Sequence, residues 1–468
     1  MPTLREEIYT SPDDDAPRLV YADQLIDAGD PRGTFIAQQC ALAKLDELDE
    51  RYPVMLASTH RLAAAHARVW LAPYLDTADV AEHAGRISID RFANARFVRG
   101  FLQRIAMRPE TIATAWPVLR AHEPIEGVEL VVGDGVDRSC EALVEPRAFR
   151  VLAVRPDAWF TADSIGRVLA WGMPDLRELD LSGCDVSVNG ARILANLPTD
   201  LGVHFEGYVA PPPFAPGQLR VLVLENAQIG DEGARILFAA DHLAALETLD
   251  LTRCRIAEVE TLAALRDAPA MRSVRRFSLA GNNALGEHVG VLADWGAFGA
   301  LTSLALPQST TVDAFARLFR EPSTSLRALA LASAKELARA PGLFDAAVAF
   351  TRLDLGTTSL GDDGFRALVA APSTRHLLHL RVNGCSLSDR ALDALVASPL
   401  DRLVTLDLSS NKLTDAGLRT LAAWPGLAHV THLRLGNNRK LTAAGIRTLR
   451  ESPHFQPVEL DLGKLADS

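Results

Sequence analysis

The sequence predicts an α/β solenoid of stacked strand–helix repeats, preceded by a small, mainly helical N-terminal domain. The observation behind the solenoid is the stretch Leu403–Leu413, in which leucines alternate with polar residues, and weaker copies of it recur every 24 to 28 residues. Successive side chains of a strand point to opposite faces, so alternating leucines predict a short strand buried on one side. One repeat cannot bury its leucines alone, so the copies are expected to stack.

Each copy can be placed by its first apolar residue. Strong copies begin at Leu176, Leu219, Leu246, Leu377, Leu403 and Val430. Weaker copies begin at Val274, Leu301, Leu326 and Phe350, further ones are predicted near Ile125 and Phe149, and a truncated copy ends at Leu460 and Leu462. Apolar residues at helical spacing follow each strand, as from Thr414 to Ala422, and predict that a helix forms the second half of each unit.

One position of the repeat is expected to hold the turn after each strand. In six copies this position holds an amide or a thiol, namely Asn282, Asn411, Asn438, Cys184, Cys254 and Cys385. Three diverged copies hold another residue there, namely Ala227, Ala334 and Thr358. An Asn side chain there can bond backbone groups where the chain turns inward. The three cysteines share this phase, so we expect buried thiols rather than a disulfide framework or a Cys-x-x-Cys metal site.

The spacing L-x-x-L-x-L-x-x-N-x-L of Leu403–Leu413 resembles the leucine-rich repeat, in the long form of the ribonuclease-inhibitor subtype. The resemblance implies a horseshoe with a parallel inner sheet and outer helices. It extends over residues 111–468, which would hold about 12 to 14 repeats.

Residues 1–110 lack the repeat and predict a small helical domain. Ser11-Pro12-Asp13-Asp14 is typical of a helix start, with a capping hydroxyl and acids in the first turn. Gly29-Asp30-Pro31 is expected to end the helix that carries Leu19 and Leu25. Arg18, Asp23, Asp30 and Arg32 form either a polar network between helices or a docking surface.

The N-terminal region also resembles a bacterial module, the repeat-companion domain, which precedes repeats in myxobacteria and planctomycetes. The resembling stretches run from Ser11 to Asp23, from Gly29 to Gly33, from Phe35 to Gln39 and from Phe97 to Phe101. Gln24 departs from the family, which usually has Trp there. The resemblance implies a bacterial protein and brings no catalytic activity with it.

Composition and charge exclude several classes of protein. The net charge of −11 over 468 residues argues against nucleic acid as the main partner, because phosphate binding needs clustered basic residues. No stretch of signal-peptide or membrane-span character is found, so a cytoplasmic location without membrane association is expected. Searches for nucleophile elbows, phosphate loops and metal motifs find none, which predicts a non-enzyme without cofactor or metal.

The inner, concave face of the predicted sheet is the candidate binding surface. Residues that flank the middle leucine of each strand point away from the leucine core. The candidate site residues on this face are Arg276, Arg352, Asp354, His379, Arg381, Asp407, His432, Arg434, Glu459 and Asp461. In one row, from Asp354 to Asp461, the charges alternate in sign, so each Arg is expected beside two acids.

Two interpretations of this face remain open, and both can hold together. The charges form a self-satisfied ladder, in which exposed pairs contribute about 0 to 1 kcal/mol each, or they form a site for an unidentified protein or peptide. The sequence therefore predicts a non-catalytic protein-interaction module. The alternative is a regulator or inhibitor of one enzyme, ribonuclease-inhibitor-like or GTPase-activating-like, or a scaffold in a bacterial defence or signalling system.

Overall fold

The computed structural model describes residues 3–72, 95–107, 109–132, 149–156, 161–169, 173–197, 217–320, 325–333 and 348–463. Two compact units make up the chain. The first comprises Met1–Leu45, Thr59–Ile256 and Ala268–Val274, and the second comprises Asp46–Ser58, Ala257–Asp267 and Arg275–Ser468. The predicted turn residue Ala334 lies outside the described residues.

In the described residues before the first strand the chain is helical, as the sequence predicts, with α1 Leu4–Thr10, α2 Ala16–Asp27, α3 Pro31–Lys44 and α4 Tyr52–Leu71. Asp30 caps α3 by accepting a hydrogen bond from the Arg32 N–H. The predicted cap at Ser11 is wrong, because Ser11 ends α1 and α2 begins only at Ala16. The Ala16 N–H donates to the Asp14 Oδ1 over 2.9 Å, so a carboxylate closer to the helix takes the role expected of the hydroxyl.

The N-terminal core depends on close approach between helices. Ile8, Ala22, Ile36, Cys40 and Phe101 form one buried cluster. A Cβ at Gly33 would lie 2.5 Å from the Ala22 carbonyl oxygen, so only glycine allows α2 and α3 to pack this closely.

Of the four residues expected to form a polar network or a docking surface, the side chains of Arg18 and Arg32 have other partners. Arg32 pairs with Glu123 over 2.7 Å, and the Arg18 Nη1 donates to the Asp14 carbonyl. The buried Asp15 carboxylate lies 2.9 Å from the Lys44 ammonium and 3.5 Å from the Arg99 guanidinium. The Asp15 carboxylate therefore has a structural role.

The sheet of the first unit has seven strands: β1 Ala95–Val98, β2 Phe101–Met107, β3 Gly127–Val132, β4 Val151–Pro156, β5 Glu178–Asp180, β6 Val221–Val223 and β7 Thr248–Asp250. β1 and β2 are antiparallel, and the pairs from β2 to β7 are parallel. The helices between them are α5 Pro109–His122, α6 Ala162–Leu169, α7 Ser187–Leu194 and α8 Gly230–Phe238. The repeats predicted near Ile125 and Phe149 are confirmed as β3 and β4.

The sheet of the second unit has eight strands: β8 Arg276–Ser278, β9 Ser303–Ala305, β10 Ala328–Ala330, β11 Arg352–Asp354, β12 His379–Arg381, β13 Thr405–Asp407, β14 His432–Arg434 and β15 Glu459–Asp461. Each pairs in parallel with the next, and the middle residues are in register, as Leu406 with Leu433. The helices are α9 Val259–Ala264, α10 Val312–Leu318, α11 Gly361–Ala370, α12 Asp389–Val396, α13 Asp415–Ala422 and α14 Ala443–Arg450. Burying each leucine contributes roughly 1.5 to 3 kcal/mol.

The turn position works as the sequence predicts. Asn411 and Asn438 are buried, and each side-chain amide donates to main-chain carbonyls of its own repeat and of the one before it. The Cys254 and Cys385 thiols donate to the carbonyls of Leu224 and Leu355 over 2.9 and 3.0 Å. A thiol thus replaces the amide as the link between adjacent repeats.

The prediction of one helix in every repeat is wrong for the repeat that begins with β8. Three 3₁₀ helices, Asn283–Leu285, Val289–Asp294 and Phe298–Ala300, take the place of an α-helix there. The segment contains Gly286 and Gly290, and glycine has a low helix propensity. A Cβ at Gly286 would lie 2.2 Å from the Ser309 carbonyl oxygen, so the neighbouring turn packs tightly against this segment.

Candidate functional site

The second unit carries all ten predicted site residues on one face of its sheet. The strand register aligns Arg352, His379, Thr405, His432 and Glu459 in one row and Asp354, Arg381, Asp407, Arg434 and Asp461 in a second. Arg276 lies in the first row on β8. The residues of both rows flank the buried middle leucines, so their side chains point to the inner face.

Arg381 is held by its neighbours. Its Nε donates to the Asn383 Oδ1 over 2.9 Å, and its Nη1 donates to the Asp354 Oδ2 over 3.3 Å. The Nε also lies 3.5 Å from the Asp407 Oδ2. The alternation of charges predicted this arrangement, and at this position it is a satisfied ladder.

The aspartates of the second row have a further role that sequence reasoning missed. The Oδ1 atoms of Asp354, Asp407 and Asp461 accept the N–H two residues later, over 3.0, 3.0 and 2.8 Å. Asp180 and Asp250 make the same bond in the first unit. Such turns are typical of Asp followed two residues later by Ser, Thr or Gly, and this spacing is visible in the sequence. These aspartates therefore shape the turns after their strands.

Replacing Arg381 tests the ladder. We expect Arg381→Ala to lower the free energy of unfolding by about 0.5 to 1 kcal/mol, because the partly exposed pairs are screened by solvent. Arg434→Ala, which removes an Arg from the same row two strands away, is expected to change it by less than about 0.5 kcal/mol. Urea unfolding of both variants measures the difference. Equal stability losses in the two variants would contradict the assignment of Arg381 to the ladder.

Arg434 is held more loosely than Arg381. Its Nη2 lies 4.0 Å from the Glu459 Oε1, and both side chains are about half exposed, at 47% and 48%. The neighbouring His432 Nε2 lies 3.9 Å from the Glu459 Oε2, and its Nδ1 lies 2.9 Å from the Thr431 Oγ1. This end of the inner face therefore presents a cation, an anion and an imidazole to the surroundings.

The remaining predicted residues lie on the same face with different exposure. Arg276 and Arg352 are exposed, whereas His379 is partly buried and its Nδ1 lies 3.1 Å from the Thr405 Oγ1. Ser303 and Ala328 separate Arg276 from Arg352 in the first row, and Ala305 and Ala330 stand beside them in the second, so no charged residue of either row lies on β9 or β10. The polar part of the face therefore runs from β11 to β15.

The first unit has a buried charge network that the sequence did not reveal. Arg104 on β2 lies 3.4 Å from Glu129 on β3, which lies 3.5 Å from Arg155 on β4. Arg155 in turn donates to Asp180 on β5 over 2.8 Å.

Burial raises the pKa of Glu129. Burial also opposes ionisation of Asp180, but the hydrogen bond from Arg155 outweighs it and lowers the pKa of that carboxyl. Since opposite charges alternate on adjacent strands, we assign the network a structural role.

The described part of the chain holds no group of three or more His, Cys, Asp or Glu side chains placed to bind a metal ion. Among the same residues, no helix is long and apolar enough to cross a bilayer.

Comparison with known proteins identifies the repeat. A family model described as a leucine-rich repeat matches residues 172–195 and 403–422, which contain β5 and β13. The chain has a leucine-rich-repeat fold. Both matched segments begin at or before the first apolar residue of a strong repeat, Leu176 and Leu403.

One curated relative matches at the level of sequence. Ribonuclease inhibitor from the pig, Sus scrofa, is 28% identical over 270 residues, which are 53% of this chain and 55% of that protein. The match thus spans about half the length of the relative.

Two solved structures are similar over most of the chain. An internalin from Listeria monocytogenes is 18% identical, with a TM-score of 0.32 over 73% of this chain and 81% of that one. A chain of the yeast Rad7 and Elc1 complex is 12% identical, with a TM-score of 0.40 over 89% of this chain and 94% of that one.

Proposed function

We propose that this leucine-rich-repeat protein binds a protein or peptide partner through the inner face of the second unit, without catalysing a reaction. The observation that carries the proposal is the contrast between two arginines of one row. Both side chains are about half exposed, but Arg381 is fixed by three neighbours, whereas the Arg434 guanidinium lies 4.0 Å from the Glu459 carboxylate. An Arg whose N–H groups are not all paired can still donate to a partner, and Arg is frequent among residues that dominate interface energies.

The partner should be complementary to a mixed surface. Asp354 and Asp407 are occupied by Arg381 and by their turns, so they contribute less charge to the surroundings than Arg352 and Arg434. We therefore infer a partner that offers acidic or carbonyl groups opposite Arg352 and Arg434, with His432 and Glu459 as further polar contacts. Arg276 and His379 are peripheral contacts in this proposal, and Asp461 mainly supports the last turn.

Comparative cross-linking tests the proposal. Cell extract of the natural source is incubated with the wild type, with Arg434→Glu and with Arg447→Glu, and cross-linked proteins are identified by mass spectrometry. Arg447 is exposed on α14, in the same repeat as β14 but on the helix side, and serves as the matched control. We expect a protein that the wild type and Arg447→Glu retain and Arg434→Glu loses. Equal retention by all three would contradict the inner face as the site.

A second candidate function is inhibition of an enzyme, and the similarity to pig ribonuclease inhibitor favours it. In this proposal the partner on the inner face is a ribonuclease or another enzyme, and binding blocks access to its active site. Titration of the protein into an assay of a pancreatic-type ribonuclease tests whether the inhibited enzyme is a ribonuclease. A loss of RNA cleavage in proportion to the added protein would support ribonuclease inhibition. Full ribonuclease activity at a molar excess of the protein would contradict it, and only the general binding proposal would remain.

The finer features expected from the sequence remain proposals. They are a repeat-companion domain that ends near residue 110, a bacterial origin, a cytoplasmic location and a scaffold role. The contacts of the N-terminal helices support a structural part for that region. Arg150, just before β4, donates to the Tyr9 carbonyl over 2.8 Å, and Arg177, just before β5, donates to Asp13 over 3.0 Å. These bonds attach α1 and the following turn to the strands of the first unit.

A further inference from the structure

A short acidic segment, Asp46–Tyr52, is held by one arginine of the second unit. Arg402 lies three residues before β13, and its guanidinium donates to three successive carbonyl oxygens. The distances are 3.1 Å to Glu47, 3.0 Å to Leu48 and 2.6 Å to Asp49. A guanidinium has five N–H groups in a fixed fork, so it suits a turn whose carbonyls converge.

The segment makes a second attachment at the same edge of the sheet. Thr351, directly before β11, donates its hydroxyl to the Glu47 Oε2 over 2.5 Å. The amino ends of parallel strands lie along one edge, so Thr351, His376 and Arg402 share it with Arg375. We call these four residues the basic edge. Since four of the seven residues from Asp46 to Tyr52 are acidic, their charge complements it.

The imidazole of His376 lies between two guanidinium groups of the basic edge. Its Nδ1 lies 2.9 Å from the Arg402 Nη1, and its Nε2 lies 3.0 Å from the Arg375 Nε. Arginine only donates hydrogen bonds, and a neutral imidazole has a single acceptor nitrogen. When the ring is protonated, both of its nitrogens carry a hydrogen. Each ring N–H would then face an arginine N–H, and three positive charges would lie side by side.

We propose that the basic edge is a pH-sensitive docking surface for the acidic segment of the same chain, and that protonation of His376 releases the segment by displacing Arg402. The inference is independent of partner binding at the inner face, because the contacts that carry it involve none of the inner-face side chains.

The surroundings fix the direction of the pH dependence. Burial and the charges of Arg402, Arg375 and Arg327 lower the pKa of His376 below its usual 6.5. The ring is neutral above this lowered pKa and charged below it, so we expect the segment to be docked at neutral pH and the docking to weaken as pH falls through the lowered value. Three acids face Arg402 itself, namely Asp401, Glu50 and Asp49. Hydrogen bonds from Arg51 lower the pKa of Asp49 to about 2, so this carboxyl remains ionised at pH 5.

Hydrogen–deuterium exchange of the full chain tests the proposal. Exchange of residues 46–52 is measured at pH 7.5 and pH 5.0 and corrected for the pH dependence of exchange itself, with α13 as an internal reference for folding. We expect exchange of the wild-type segment to rise severalfold at pH 5.0 while exchange of α13 is unchanged, because protonation of His376 weakens the docking.

Three variants complete the experiment. His376→Gln cannot be protonated and should keep the segment protected at both pH values, whereas Arg402→Gln should release it at both. Arg375→Gln removes one positive neighbour of His376, so its release should begin at a higher pH than in the wild type. Wild-type exchange that does not change with pH, or the same acid-induced rise in His376→Gln, would overturn the proposal.

Discussion

Asn411→Ala is expected to lower the free energy of unfolding by about 3 to 5 kcal/mol, because several buried main-chain groups lose their partner at once. The Asn411 Oδ1 accepts hydrogen bonds from the N–H groups of Cys385 and Leu387, both over 3.0 Å. Its Nδ2 donates to the carbonyls of Val382, Leu408 and Ser409. The carbonyls of Leu408 and Ser409 keep hydrogen bonds from the Asn438 Nδ2 and the Gly384 N–H, but alanine leaves the N–H groups of Cys385 and Leu387 away from water without this acceptor.

Urea unfolding followed by circular dichroism measures this loss. Lys412→Ala is the matched control, because Lys412 is adjacent in the chain and exposed, and its replacement should change stability by less than about 0.5 kcal/mol. A loss below about 1 kcal/mol for Asn411→Ala would show that the side chain does not hold the turn.

Gly417→Ala is expected to destabilise the protein by about 2 to 3 kcal/mol, although Ala normally stabilises a helix relative to Gly by about 1 kcal/mol. A Cβ at Gly417 would lie 2.3 Å from the Asp389 Oδ1. That carboxylate accepts hydrogen bonds from the Thr414 N–H and hydroxyl, over 2.9 and 2.6 Å, and so links α12 to the start of α13. The methyl group would displace the carboxylate and break this link.

A double-mutant cycle separates the clash from other effects of the substitution. Asp389→Ala alone loses the two hydrogen bonds, but it removes two of the three atoms nearest to the new methyl group and leaves only the Leu392 Cδ1, the end of a side chain, at 2.9 Å. Asp389→Ala with Gly417→Ala should therefore cost clearly less than the sum of the single losses. Gly299→Ala is the control, since nothing lies within 4 Å of a Cβ at that position. Additive losses in the cycle would argue against the steric explanation.

The repeat itself could be predicted because its cause is local. The alternation around Leu406 and the amide of Asn411 determine a strand and a turn within eleven residues, and the structure places both as expected. The same local pattern predicted the Arg381 contacts, since the strand register follows from the repeat. The turns formed by the aspartates also depend only on neighbouring residues. The spacing of Asp407 and Ser409 in the sequence could have revealed them.

Other features could not be predicted because they join distant residues. Arg402 and Leu48 are separated by 354 positions, and no repeat relates them. The Arg104–Glu129–Arg155 network lies on the longer strands β2 to β4, where the leucine spacing is too irregular to assign a register from sequence. The cap at α2 was misplaced because Ser11, Asp13 and Asp14 are all acceptable caps, and tertiary packing selects among them.

The affinity of the captured partner for Arg434→Ala tests the binding proposal most directly. Calorimetry should show binding weakened by about 1 to 3 kcal/mol relative to the wild type, with an unchanged melting temperature, because the side chain is half exposed and loosely paired. Arg447→Ala, on the helix side of the same repeat, should bind as the wild type does. An Arg434→Ala variant with wild-type affinity would contradict the assignment of the partner to the inner face.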